Sequence, residues 1–362
     1  MEVERDVLRA WRLASQRLDG RGGCEPAEVV RWLGGVQAQN DRRALWSIGL
    51  RAEGCTKEDV ERALREGQIV RTWTLRGTLH FVAAGDRAWL TVLLAPEIIR
   101  QNARRYRQLG LDDRAFARSQ EAIREVLGAR GPLVRAEIGA HLERAGLSAQ
   151  GQRLPYLLQR AALDGLIAHG PRRRHEPTYA LLPQGAGGGP ALDREEALAR
   201  LAARYVASHG PATYRDFAWW AGLGARDARR GLEAAPGVEA LDAGDAAYWV
   251  CGAPPSGGGP EGAHLLPPYD EYLLGYKERD LVLDPSQGKR VNAGGGVPKP
   301  AVLSNGRVVG TWSDRARAGG VTVSVSPFYA LDAEGRGALE GAARRWGRFN
   351  GTPVEVRIVT GG

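Results

Sequence analysis

Cysteine is scarce in this 362-residue chain: Cys24, Cys55 and Cys251 stand far apart and odd in number. That excludes a disulfide framework and a Cys-x-x-Cys zinc site, and it predicts three small, buried or half-buried apolar side chains. Apolar runs long enough to span a bilayer, about 20 residues, are missing. The N-terminal "MEVERDVLRA" is charged and holds no signal-peptide core, so a soluble cytoplasmic protein with no membrane partner is expected. Histidine is sparse and scattered, six in all. With no His-Glu-x-x-His motif, no metal site is expected. "SQGKR" lacks the first glycine and the hydroxyl of a phosphate-binding loop, and no Gly-x-Ser-x-Gly elbow occurs. Nucleotide hydrolysis, metal hydrolysis and serine acyl transfer therefore lose their usual sequence support.

What the chain does have is positive charge, +8 overall. Only Lys57, Lys277, Lys289 and Lys299 are lysines among its 50 basic residues. A GC-rich genome accounts for most of that skew, while the net charge favours a polyanionic partner.

Three segments repeat one layout. The first reads as helices over 4–18, 26–36, 41–52 and 57–66, with Thr56 an N-cap. An extended run over 69–82 follows, with Trp73, Leu75, Leu79 and Phe81 alternating against Thr72, Thr74, Arg76, Thr78 and His80. The second has helices over 112–129, around Ile138 and Leu142, and over 154–166, then the hairpin "LIAHGPRRRHEPTYALL". The third has helices over 194–208, 213–221 and 225–234, then the hairpin "VEALDAGDAAYWV". Helices closed by a hairpin are the layout of a winged helix-turn-helix, which reads DNA with its last helix and rests its wing on the backbone. Glycine-rich stretches at 183–193 and 252–262 separate the later segments.

The tail has a different character: an Asn-Gly hairpin in "AVLSNGRVVGTW", the strand "VTVSVSPF", a helix over 333–348 and a last strand "VEVRIV", together an α+β cap or small barrel. The expected fold class is α+β, mainly helical. Its units are 1–110, 111–185 and 190–252, three tandem winged helices, and 262–362, a β-rich region.

The second wing tip, Arg172, Arg173 and Arg174 followed by His175, is a phosphate contact in this reading. The third carries Asp242 and Asp245 instead and would repel phosphate, which suits a scaffold better than the rival function of a non-catalytic transcriptional regulator. An RNA-binding protein would need an aromatic stacking platform, and none is evident. "PYDEYLLGY" places Asp270 and Glu271 between aromatics; caps and hydrogen bonds at a domain junction are the simpler assignment than catalysis.

"GGVQAQND" and "RTWTLRGTLHF", with "DEYLLGYKERD" and "NGRVVGTW", carry a resemblance over essentially the whole chain. Together they resemble the AlkZ/YcaQ-type winged-helix DNA glycosylases. That resemblance implies a C-shaped scaffold of three winged helices around duplex DNA, in a monomer without metal or organic cofactor. It also implies that Gln37 and Gln39, a glutamine–any–glutamine motif, are catalytic. The Gln-x-Gln form resembles the branch associated with self-resistance to azinomycin, which alkylates purine N7 on both DNA strands. Amide chemistry is consistent with such a site. An N7-alkylguanine is already a cation and leaves without a general acid, so the enzyme supplies a held water and negative potential near C1′. Arg76 and His80, about four residues apart on the polar face of one strand, are expected as lesion or phosphate contacts. Lys289 and Arg290, near the tip of a basic loop over 283–297, are expected to probe the minor groove.

Overall fold

The apolar stripes of the first segment fold as amphipathic helices: α1 (Arg5–Ser15), α2 (Pro26–Leu33), α3 (Asp41–Gly49) and α4 (Lys57–Arg65). A computed structural model describes residues 4–20, 23, 25–174, 176–183, 192–242, 247–256, 262–292, 294 and 296–359. The α2 helix stops three residues short of the expected 36, because Gly34 adopts the left-handed conformation at φ 76°. The chain then extends as β1 (Val36–Gln37). Thr56 does cap α4, in a reciprocal capping box with Asp59.

The run over 69–82 is two strands rather than one: β2 (Ile69–Trp73) and β3 (Leu79–Ala83) fold back antiparallel, Trp73 facing Leu79. Between them Thr74 to Thr78 form a tight turn in which Arg76 has φ 56°. Period-two alternation continued through that turn and concealed it. The sheet order is β1-β3-β2. A helix that the sequence reading left unassigned follows, α5 (Arg87–Gln108), with Leu90, Leu93, Leu94 and Ile98 on its buried face despite Pro96 inside.

The second unit comprises α6 (Asp113–Arg130), β4 (Leu133–Val134), α7 (Arg135–Arg144), α8 (Arg153–Leu163), β5 (Ile167–Arg173) and β6 (Glu176–Leu181), with sheet order β4-β6-β5. The third comprises α9 (Arg194–His209), α10 (Tyr214–Ala221), α11 (Ala225–Glu233) and the hairpin β7 (Glu239–Asp242) with β8 (Ala247–Val250). Asp245 lies outside the described residues, as do 184–191 and 257–261 of the expected linkers.

The tail forms β9 (Ala263–Leu266), α12 (Glu271–Leu274), α13 (Gly288–Val291), β10 (Ala301–Ser304), β11 (Arg307–Arg317), β12 (Gly320–Pro327), α14 (Ala333–Asn350) and β13 (Val354–Ile358). Its five strands make one open sheet, β13-β12-β11-β10-β9, not a barrel. Asn305 and Gly306, both at positive φ, turn β10 into β11 as the Asn-Gly pair predicts.

Packing crosses the expected unit boundaries. One hydrophobic core joins Val29, Leu33 and Ile48 of the first segment to Leu265, Val302 and Trp346 of the tail. A second joins α5 to the third unit through Leu90, Leu201 and Trp220, and a third fills the second unit around Ile123, Ile138 and Leu158. Burying the tail and the first segment together puts Asp270 and Glu271 under β1. Of the cysteines, Cys55 is buried as expected, Cys251 is exposed at the end of β8, and Cys24 lies outside the described residues.

Candidate active site

Gln37 lies opposite His80 in the β1–β3 pairing, and the Ala38 N–H continues it by donating to the Leu79 carbonyl at 2.7 Å. β1 ends at Gln37, and Gln39 stands in the turn that follows. Their surroundings differ. Gln37 is 6% exposed, and its side-chain oxygen accepts from Arg76 Nη2 at 2.9 Å. Gln39 is exposed, and its side-chain oxygen accepts only a long bond, 3.3 Å, from the Leu79 backbone N–H. Asn40 then caps α3, accepting from the Arg43 N–H at 3.2 Å, which fixes where the motif ends.

Arg76 and His80 depart from the outward role expected of them. Arg76 sits on the turn, not on a strand, and points inward. Its guanidinium donates to the Trp220 carbonyl and to Gln37, and lies over the Trp219 ring at 4.9 Å. Burial lowers its pKa. Gly222, the left-handed C-cap of α10, permits this approach: a Cβ there would stand 3.1 Å from the Arg76 backbone. His80 is 0% exposed. Its Nδ1 meets the Thr78 carbonyl at 3.1 Å, and a carbonyl only accepts, so the proton resides on Nδ1. Burial, then the charge of Arg76, lower its pKa to about 4, leaving a neutral ring that cannot reach a phosphate.

Asp270 fits the structural assignment made for it. It caps α12, accepting from the Tyr272 N–H at 3.0 Å, and forms a fork with Arg51 at 2.8 and 2.9 Å. Glu271 does more than that assignment allowed, since it touches the candidate motif itself. Fully buried, it accepts from the Gln37 N–H at 3.2 Å through Oε1 and from the Trp220 indole N–H at 2.9 Å through Oε2. His209 Nε2 stands 3.6 Å away. Burial penalises the carboxylate, but contact with His209 and the charge of Arg76 hold its pKa down, to about 2, so it is ionised. The available signal was an acidic pair inside an aromatic, apolar run.

The β5–β6 hairpin reaches the same neighbourhood. His169 of β5 and Tyr179 of β6 pack on Trp73 of β2, with ring centroids 5.4 and 6.2 Å away. Arg172 pairs with Asp41, two residues beyond Gln39, and Arg173 pairs with Glu137. Arg174 is exposed at the tip with φ 57°, while His175 lies outside the described residues. Lys289 and Arg290 are exposed, on a short helix, α13, rather than a loop tip; its Val291 is buried in the first core and Arg290 lies over the Phe328 ring at 4.4 Å. Residues 293 and 295 of the loop lie outside the described residues. No group of three or more metal-ligating side chains gathers among the described residues.

Gln37 is thus enclosed between Arg76 and Glu271, while Gln39 stands exposed beside it, close to the Asp41–Arg172 pair. The profile of the family described as DNA glycosylase AlkZ-like matches residues 30–349. The chain belongs to the AlkZ-like DNA glycosylases. It is a DNA N-glycosylase. A relative from Streptomyces sahachiroi, named interstrand DNA cross-link repair glycosylase, is 28% identical over 97% of this chain and 98% of its own. The solved structure of the Streptomyces sahachiroi DNA glycosylase AlkZ superposes on the glycosylase with a TM-score of 0.83 at 26% identity, over 99% of this chain and all of the other. No helix among the described residues is long and apolar enough to cross a membrane.

Proposed function

We propose that the glycosylase hydrolyses the N-glycosidic bond of N7-alkylguanine in duplex DNA and unhooks N7-linked interstrand cross-links of the azinomycin type. The observation that carries this is the unequal pair of amides: Gln37 clamped by Arg76, Gln39 exposed beside it. Gln39 is the water holder. Its oxygen has a second lone pair beyond the bond to Leu79, and no guanidinium draws on it. The C1′–N9 bond breaks with its electron pair passing to the cationic base, which leaves neutral. The held water adds to C1′ and gives its proton to solvent. Neither step requires a group that titrates near neutral pH, and neither side chain against Gln37 offers one: His80 is buried and neutral, Glu271 buried and ionised. A neutral base would lack this leaving ability, so selectivity for cationic lesions follows from chemistry rather than shape. The helix-and-hairpin units serve as tandem winged helices, with the Arg172–Arg174 wing beside Gln39 meeting DNA phosphates. The name of the Streptomyces sahachiroi relative supports the cross-link assignment.

Base release from duplex DNA bearing N7-methylguanine tests this. The wild type should exceed the spontaneous rate, and Gln39→Ala should lose on the order of 10²-fold. Wild-type release no faster than spontaneous loss removes the glycosidic reading of the site. Full activity in Gln39→Ala moves the water elsewhere. Conversion of azinomycin-linked duplex to single strands on a denaturing gel tests unhooking.

A further inference from the structure

We propose that Glu271 is a positioning residue for the glutamine pair, holding the Gln37 backbone and supplying, through charge, the negative potential that the cationic transition state requires. This deepens the function proposed above and rests on it. Glu271 lies behind β1 with 0% exposure, so it touches neither substrate nor water. It acts through Gln37, whose N–H it accepts at 3.2 Å. It also acts through Trp220. That residue donates its indole N–H to Glu271 and its carbonyl receives the Arg76 guanidinium, which in turn holds the Gln37 side chain. Gln37 is thus gripped on its backbone by an anion and on its side chain by a cation. The opposite charge that acts most strongly on Arg76 is Glu271.

The two hydrogen bonds to Glu271 come from neutral N–H donors, while its charge is met by His209 Nε2, 3.6 Å away, and by Arg76, which hold it ionised against the desolvation penalty of burial. What the charge adds is a fixed negative field directed at β1, in a dry wall where water cannot screen it. As positive charge passes from the leaving base to the sugar, that field strengthens its effect at the position where charge develops. Glu271 cannot serve as general base, because it is wholly enclosed behind β1.

The test uses the full chain and single-turnover release of N7-methylguanine from duplex DNA. Glu271→Gln keeps the shape and removes the charge. The rate at saturating enzyme should fall on the order of 10²-fold, while the affinity for lesion-bearing duplex stays within about twofold, since the residue is remote from phosphates. Glu271→Asp keeps the charge and shortens the reach; it should regain at least about tenfold of the loss. A residue that only filled space would weaken both variants alike. Wild-type rate in Glu271→Gln, or Glu271→Asp as slow as Glu271→Gln, overturns the proposal. Should Glu271→Gln fail to fold, a Glu271→Asp rate within twofold of wild type supports the charge role and a loss of 10²-fold overturns it. Absence of release by the wild type sinks the underlying function instead, which separates the two failures.

Discussion

Asp270 and Glu271 are neighbours in sequence and both almost wholly buried, yet their charges are met in opposite ways. Around Asp270 the chain just past α3 supplies a matched cation: Arg51 forks onto both oxygens, Gln16, at the end of α1, accepts from the same guanidinium at 2.6 Å, and the Ser47 hydroxyl of α3 donates at 2.8 Å. Around Glu271 the direct donors are neutral, a backbone N–H and an indole, and the nearest histidine is held below its usual pKa by burial. The first arrangement ties the tail to the first segment. The second places an ionised carboxylate, steadied by His209 and the charge of Arg76, beside the candidate catalytic amides. The cap of a four-residue helix and its first residue thus meet separate partners, because their side chains leave the chain in different directions.

Arg51→Met should break the comparison most severely. Removing the cation strands Asp270 in a dry core, at a cost of about 3–5 kcal/mol. Urea unfolding should show a midpoint far below wild type, and a wild-type midpoint would mean that the Arg51–Asp270 fork does not tie the tail to the first segment. The same measurement on Glu271→Gln should show a smaller change, since that variant loses rate rather than an ion pair.

Acid sharpens the contrast at intermediate size. His80, beside Glu271, has its pKa lowered from 6.5 to about 4; His264, on the Asp270 side against Arg345, falls to about 3. Between those values and 6.5 the unfolded chain binds more protons than the folded one. Stability is then complete above about pH 6.5 and declines as pH falls, by about 1.4 kcal/mol per pH unit for each histidine. Unfolding midpoints measured from pH 7.5 downward should show that slope, and a flat profile to pH 5 would contradict neutral burial. The smallest effect belongs to the periphery. Arg174→Ala, at the exposed tip of the β5–β6 hairpin, should lower the salt dependence of DNA binding by about one counterion and leave both buried pockets intact. An unchanged slope removes that tip from the interface.

The comparison also explains why one functional neighbour escaped notice in the sequence. Gln37 and Gln39 were legible because they stand alone in a short motif whose chemistry can be argued from amides. Glu271 was visible only as half of an acidic pair, and nothing local distinguishes it from Asp270. The distinction comes from α10, which brings Trp220, and from β1, which brings the Gln37 N–H, respectively 51 and 234 residues away. Arg76 was misplaced for a related reason. Alternation through "RTWTLRGTLHF" satisfied strand periodicity, while the turn depends on positive φ at Arg76 and Gly77, buttressed by Gly222.

Composition and local pattern by themselves determined the helix-rich α+β class, the recurrence of helices closed by hairpins, the Asn-Gly turn and the glutamine motif. Each rests on interactions within a few residues, which sequence encodes directly. Tertiary structure alone decided that the first segment and the tail share a core, that the β5–β6 hairpin ties to Asp41 beside the motif, and that Arg76 and His80 face inward. It also separated Asp270 from Glu271. Those outcomes depend on which donors and charges meet across hundreds of residues once water is excluded, and burial then sets whether each titratable group is charged.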